Sequence, residues 1–246
     1  MNQRGKQIAS VAVLASAGVL EALAPGCDSD ILDVDVDLQR QVYSADFGAN
    51  QGTVPLVACD PAGPGVCGAS VGTTNLETGN VSAMVDLACD SATSRCYAQA
   101  QVLGTNAVDV LQDDDFLTKV ERKAVVVVRD VDVKITVPLN TLTFDVPRID
   151  IFVGPPGSLH ETDSGVVPVG ATQPLAAGTV VTDTGARHMV VAADSPAHAF
   201  IADSIMSKHT MVFLVSLAPR VEAGAPIPAG AFEVDLVPRV TLGLPR

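Results

Sequence analysis

The chain has 246 residues with 28 acidic against 15 basic side chains, a formal net charge of -13. That balance repels nucleic-acid phosphates and anionic membrane surfaces, so a nucleic acid is not an expected partner. Hydrophobic residues make up 48% but aromatics only 4%, with no tryptophan, so the apolar content is mainly Val, Ala and Leu, which favours strands over disorder. The length suffices for one large β domain or two small ones.

The chain begins with a short basic stretch, Arg4 and Lys6, followed by the apolar run IASVAVLASAGVL over residues 8–20. A run of that length suits a secretory leader better than a membrane span. It leads into L-A-P-G-C, Leu23 to Cys27, which resembles the lipobox of bacterial lipoproteins. The resemblance implies a signal peptide over 1–26, diacylglycerol on Cys27 and attachment to a lipid bilayer in the cell envelope. It covers the leader alone. Simple secretion after cleavage at Ala22 to Ala24 and an uncleaved anchor are the alternatives. Cysteine arithmetic agrees with lipidation. There are five Cys, an odd number in an oxidising compartment, and assigning Cys27 to a lipid leaves Cys59, Cys67, Cys89 and Cys96 free to pair completely. Cys59 and Cys67 bracket one turn-rich segment, Cys89 and Cys96 another, which predicts local pairing of 59 with 67 and 89 with 96, at about 2.5 kcal/mol each. The C-x2-C spacing of a four-Cys zinc site is absent.

Past the leader, Leu32, Val34, Val36 and Leu38 alternate with Asp33, Asp35 and Asp37, the pattern of a half-buried strand over 31–38. Further strands are expected at 53–58, 80–88, 96–103 and 106–112, with V-P-L-V-A-C-D-P-A and V-D-L-A-C-D-S-A as two copies of a degenerate repeat. Asp113, Asp114 and Asp115 followed by Lys119, Arg122 and Lys123 place acid first and base last, which suits a short helix over 113–123. The same stretch marks a boundary between an N-terminal β region, 27–120, and a C-terminal one, 121–246. No Gly/Ser-rich linker parts them, which leaves a shared core open.

The second region starts with a long strand, or two in succession, over 124–137, and continues as strand from 142 to 153. Residues 154–176 read as a long loop. Ser195 as cap, Pro196 at the first helical position and Phe200, Ile201 and Ile205 on one face predict a helix over 195–207. Strands at 211–217 and 232–242 complete an all-β, antiparallel β-sandwich, one large or two adjoining.

Chemical motifs are weak. Gly68 to Gly72 fits G-x-S-x-G with Ser70 as nucleophile, but a hydrolase elbow needs a strand before it and a helix after it, and here a Pro/Gly turn precedes. His160, His188, His198 and His209 share no metal-ligand spacing. Asp33, Asp35 and Asp37 mimic the start of a calcium loop, with Val34 and Val36 where flexible polar residues belong; Asp113 to Asp115 are the other acids considered for calcium. No cofactor, catalytic residue or metal ligand is assigned. The leading expectation is a non-enzymatic envelope lipoprotein that binds an envelope protein partner or supports structure. A secreted calcium-stabilised adhesion module and a serine hydrolase using Ser70 are the alternatives.

Overall fold

Alternation of aliphatic and polar side chains, with β-branched residues abundant, drives most of this chain into strands. The computed structural model describes residues 31–49, 51–60, 66–67, 71–72, 80–120, 125 and 127–245; the leader and Cys27 fall outside them. The elements in chain order are β1 (Ile31–Asp37), β2 (Gln41–Asp46), β3 (Val71–Gly72), β4 (Asn80–Asp90), β5 (Arg95–Asp109), α1 (Asp114–Val120), β6 (Val127–Asn140), β7 (Asp150–Gly154), β8 (Val167–Ala171), β9 (Arg187–Val191), α2 (Pro196–Asp203), β10 (Thr210–Leu217), β11 (Arg220–Glu222) and β12 (Ala231–Pro245). They form two antiparallel sheets, an all-β sandwich with two short helices. The first sheet runs β1-β12-β6-β9, with β2 also on β12; the second runs β3-β4-β5-β10-β7-β8, with β11 on β5. Strand pairing crosses between the 27–120 and 121–246 regions in both sheets, through β1 and β2 on β12 and through β5 on β10.

The inner faces hold the core. Alternate residues of β5 (Cys96, Ala98, Ala100, Val102) and β10 (Met211, Phe213, Val215, Leu217) face Val131, Val133 and Ile135 of β6 and Val234, Leu236 and Val240 of β12, all buried in one cluster. Two polar side chains join the sheets. The Tyr43 hydroxyl on β2 donates to the Phe213 carbonyl on β10 at 2.9 Å, and the Asn106 amide on β5 donates to the Val42 carbonyl at 2.8 Å. Burial pushes the Tyr43 phenol far above its ordinary value, so it stays a neutral donor.

Both helices are capped as their sequences predict. Asp113 accepts the Phe116 N–H at 2.8 Å to start α1. Ser195 accepts the His198 N–H at 3.1 Å to start α2, with Pro196 at its first position, and α2 widens into a π-turn over Ser204–Lys208 that ends at left-handed His209.

Several expected boundaries move. The 53–58 segment is not a strand: only Thr53 and Ala58 make isolated bridges, so the first copy of the suspected repeat does not repeat the second. The expected strands 96–103 and 106–112 are one strand, β5, because Gly104 sits opposite Val215 inside the sheet rather than at a turn, and residues 110–112 become a 3-10 turn. The 142–153 stretch is strand only from Asp150. The supposed loop 154–176 contains β8, paired to β7. β2 and β9 carry too few alternations to stand out, yet each completes the first sheet.

The disulfides are the main correction. Cys59 pairs with Cys89 and Cys67 with Cys96, not 59 with 67 and 89 with 96. The bracket after Cys89 is a hairpin turn, which sets Cys89 directly opposite Cys96 in the β4–β5 register. Directly opposed strand residues hold their Cβ atoms about 4.5–5.5 Å apart, wider than the span a disulfide favours, about 3.8 Å. Instead Ala58 bridges Arg95 and the Cys59 N–H donates to the Ser94 carbonyl at 3.0 Å, so Cys59 lies against the hairpin turn, and Cys59 and Cys67 give each hairpin cysteine its own partner. With sequence separations of 30 and 29, the first closure removes about 3.6 kcal/mol of unfolded-chain freedom. The second, interleaved with it, closes only about 15 residues of remaining slack and adds about 3 kcal/mol.

Candidate functional site

The outer face of the first sheet is built from charges that answer one another across strands. Arg129 pairs with Asp33 at 2.7 Å, Thr241 donates to Asp35 at 2.7 Å, and Arg239 pairs with Asp37 at 2.6 Å. The adjacent guanidinium holds the Asp37 carboxyl below its ordinary value. Farther across the sheet, His188 Nδ1 lies 2.5 Å from Asp132 Oδ2, and Lys134 pairs with Asp183 at 2.8 Å, depressing the Asp183 carboxyl. The register explains the ladder: Asp37 faces Arg239, Arg239 faces Asp132, and Lys134 faces His188.

At one place this ladder sinks into a groove. Between the pairs Asp37–Arg239 and Gln41–Leu236, the strand side carries three residues, 38–40, against two on β12. Between Thr136–Asp235 and Leu139–Glu233, β6 carries two residues, Val137 and Pro138, against Val234 alone. Each is a one-residue bulge, and a bulge bends its strand and re-aims the neighbouring side chains. Pro138 has a physical reason to sit there, since it has no N–H to give a regular ladder. Asp235 stands between the two bulges. The result is a cavity of about 410 Å³ with Asp235, Val237, Lys134, Thr136 and Pro138 from β12 and β6, Arg40 from the β1–β2 kink, and Val181, Thr182 and Asp183 from the segment before β9.

Asp235 is the unusual member. Its side chain is 5% exposed, its Oδ2 takes the Arg40 guanidinium and a long 3.4 Å hydrogen bond from Thr136, and its Oδ1 is buried with no hydrogen-bond partner. A buried carboxylate oxygen without a donor costs about 1–3 kcal/mol and calls for an explanation. Arg40 is 56% exposed and reaches the carboxylate from the irregular stretch between β1 and β2; the Asp235 contact raises its already high pKa.

The residues singled out from sequence are distributed differently. Cys59, Cys67, Cys89 and Cys96 gather at the turn end of the β4–β5 hairpin, where the sulfurs of Cys59, Cys67 and Cys96 lie within 4.8 Å of one another because the two disulfides run side by side. Cys27 and Ser70 lie outside the described residues; Val71–Gly72, directly after Ser70, form β3. Asp33, Asp35 and Asp37 point outward and are engaged by Arg129, Thr241 and Arg239. Asp113 caps α1, and Asp115 accepts the Asp37 N–H and pairs with Lys119. The four histidines have separate partners. His160 donates its N–H to Asp163, His188 meets Asp132, His198 meets the Arg129 carbonyl at 3.1 Å, and His209 meets the Ile205 carbonyl at 3.1 Å.

Sequence reading missed Arg40, Lys134, Thr136, Asp183 and Asp235 altogether. The one available signal was Pro138 inside a strand-forming run, which marks either an edge or a bulge. Nothing in E-V-D-L distinguishes a buried Asp235 from a solvated one. No protein-family model, curated protein or solved structure matches this chain. Among the described residues, no helix is long and apolar enough to cross a membrane.

Proposed function

We propose that the protein is a non-enzymatic envelope protein, tethered to a bilayer through acyl chains on Cys27 and presenting a disulfide-braced β-sandwich to partners beside that membrane. The observation that carries the reading is the cysteine pairing. Cys59, Cys67, Cys89 and Cys96 are all consumed by two disulfides, so Cys27 has no cysteine of its own chain left to join, and it is the cysteine that the lipobox-like L-A-P-G-C leader puts in position for acylation. The disulfides also suit an oxidising compartment outside the cytosol. Each buried methylene of an acyl chain contributes about 0.8 kcal/mol to membrane affinity, so several chains on one cysteine make release slow. Only residues 28–30 separate Cys27 from β1, which keeps the sandwich near the surface.

Intact mass of the membrane-extracted protein from a bacterial host tests this. The expected species starts at Cys27, carries acyl mass, and reveals four thiols only after reduction. A water-soluble, unacylated product with an alkylatable Cys27 overturns the tether.

A further inference from the structure

The groove at Asp235 has a composition that selects among ligands. Its lining holds two cations, Arg40 and Lys134, and two anions, Asp183 and Asp235, already paired crosswise as Arg40 with Asp235 and Lys134 with Asp183. A lone anion that draws Arg40 away leaves the buried Asp235 carboxylate without its cation, which is costly, and a lone cation on Asp235 forgoes any pairing for the displaced Arg40. A molecule carrying one charge of each sign exchanges partners with no charge stranded. The apolar flank of Pro138, Val181 and Val237 adds a surface for a hydrocarbon side chain. Asp235 contributes the second, independent observation: a carboxylate 5% exposed whose Oδ1 has no donor.

The geometry points to a binding site for a small zwitterion of the amino-acid class, whose ammonium replaces the Arg40 guanidinium on Asp235 while Arg40 takes its carboxylate and Lys134 keeps Asp183. The exchange is mechanically simple. Arg40 belongs to the irregular stretch 38–40 between β1 and β2, so its side chain swings without breaking a strand, and the Lys134–Asp183 pair stays in place. An ammonium has three donors; one reaches Oδ2 where Arg40 was, and a second supplies the Oδ1 atom that has none. The hydrocarbon part then lies against Val181 and Val237. This inference does not depend on the acyl anchor, since the groove is the same with or without lipid on Cys27.

Leucine is a suitable probe, because it couples both charges to an aliphatic side chain. Calorimetric titration of the purified full-length chain is expected to give one site with Kd at or below about 1 mM. Asp235→Asn and, separately, Arg40→Gln are expected to weaken it at least about tenfold, the scale of a lost charged hydrogen bond. The single-ended analogues 3-methylbutylamine and 4-methylpentanoate are expected to bind at least about tenfold more weakly than leucine. Arg40→Gln alters an exposed turn side chain and so keeps the test valid if Asp235→Asn unfolds, which the melting temperature of each variant reveals. No binding of leucine at about 10 mM, equal binding of either single-ended analogue, or leucine binding undiminished in folded Arg40→Gln overturns the proposal. Failure of these titrations leaves the mass of Cys27 unaffected, so the two readings fall separately.

Discussion

The two outer faces of the sandwich solve the same problem in opposite ways. On the first sheet, many strand residues that point away from the core are charged and meet polar or oppositely charged partners on other strands: Asp33 with Arg129 across β12, Asp37 with Arg239, Asp132 with the His188 imidazole. On the second sheet, the corresponding residues around the central strand β10 are Leu103, Thr105 and Ala107 of β5, Val212, Leu214 and Ser216 of β10, and Phe152 of β7; charge enters only at the margin, where Asp150 opposite Ser216 pairs with Arg148. Leu214 is 1% and Val212 4% exposed, although neither belongs to the core cluster between the sheets. β10 is therefore buried on both faces, as its nearly continuous apolar sequence T-M-V-F-L-V-S-L implies, while β1, β6 and β12 each have one wet side. Stability should accordingly lie in packing and cross-links on the second sheet, and in weak, salt-sensitive pairs on the first.

The comparison is open to direct attack. Leu214→Ala removes a buried side chain from the outward face of the second sheet and is expected to cost about 3–4 kcal/mol in denaturant unfolding; a loss under about 1 kcal/mol would place that face with the charged one instead. The double change Cys67→Ser, Cys96→Ser frees the interleaved cross-link and is expected to cost about 3 kcal/mol, with no matching cross-link in the first sheet to compensate. Tyr43→Phe removes the hydroxyl that ties β2 to β10 and is expected to cost about 1 kcal/mol, measured against the same chain with Asn106 intact.

The smallest effect belongs to the ion-pair ladder. Arg239→Ala is expected to cost less than about 1 kcal/mol and to lose even that in high salt, because both partners are about half exposed. Its signature is in pH rather than magnitude. Asp37 has a folded pKa below 3.8, so the stability it lends is present above that value and disappears as pH falls through the lowered folded value. Asp37→Asn should therefore narrow its gap from the parent as melting is followed below about pH 4. A gap that widens with acid would show that Asp37 is not a stabilising carboxylate.

Legibility varied with the range of the interaction. The β1 alternation was plain in the sequence, although Leu32 is 44% exposed where the strand reaches the end of the sandwich. The caps at Asp113 and Ser195 were equally plain, since a cap contacts N–H groups within three residues. Strands interrupted by glycine or proline were misjudged in both directions. The break expected between 96–103 and 106–112 falls inside β5, where Gly104 faces Val215, and the strand expected to end at 137 continues past Pro138, which a bulge carries within β6. The groove was invisible, because Asp235 becomes buried only when a kink near residue 39 and a bulge near residue 138 meet on either side of it.

The chain's own sequence determined the antiparallel β class, both helix starts, an even set of four pairable cysteines behind an odd Cys27, and an acidic surface, all consequences of periodicity, local hydrogen bonding or counting. Tertiary structure alone decided which cysteines join, which acids are solvated and which is buried, and that β10 is covered on both faces. Those outcomes depend on segments brought together from far apart in the chain, 30 and 29 residues for the disulfides, 202 for Asp37–Arg239 and 99 for Thr136–Asp235 within a single sheet, and 170 for the Tyr43–Phe213 hydrogen bond between sheets. A side chain's partners across such distances are set by register, and register is a property of the whole sheet rather than of any one segment.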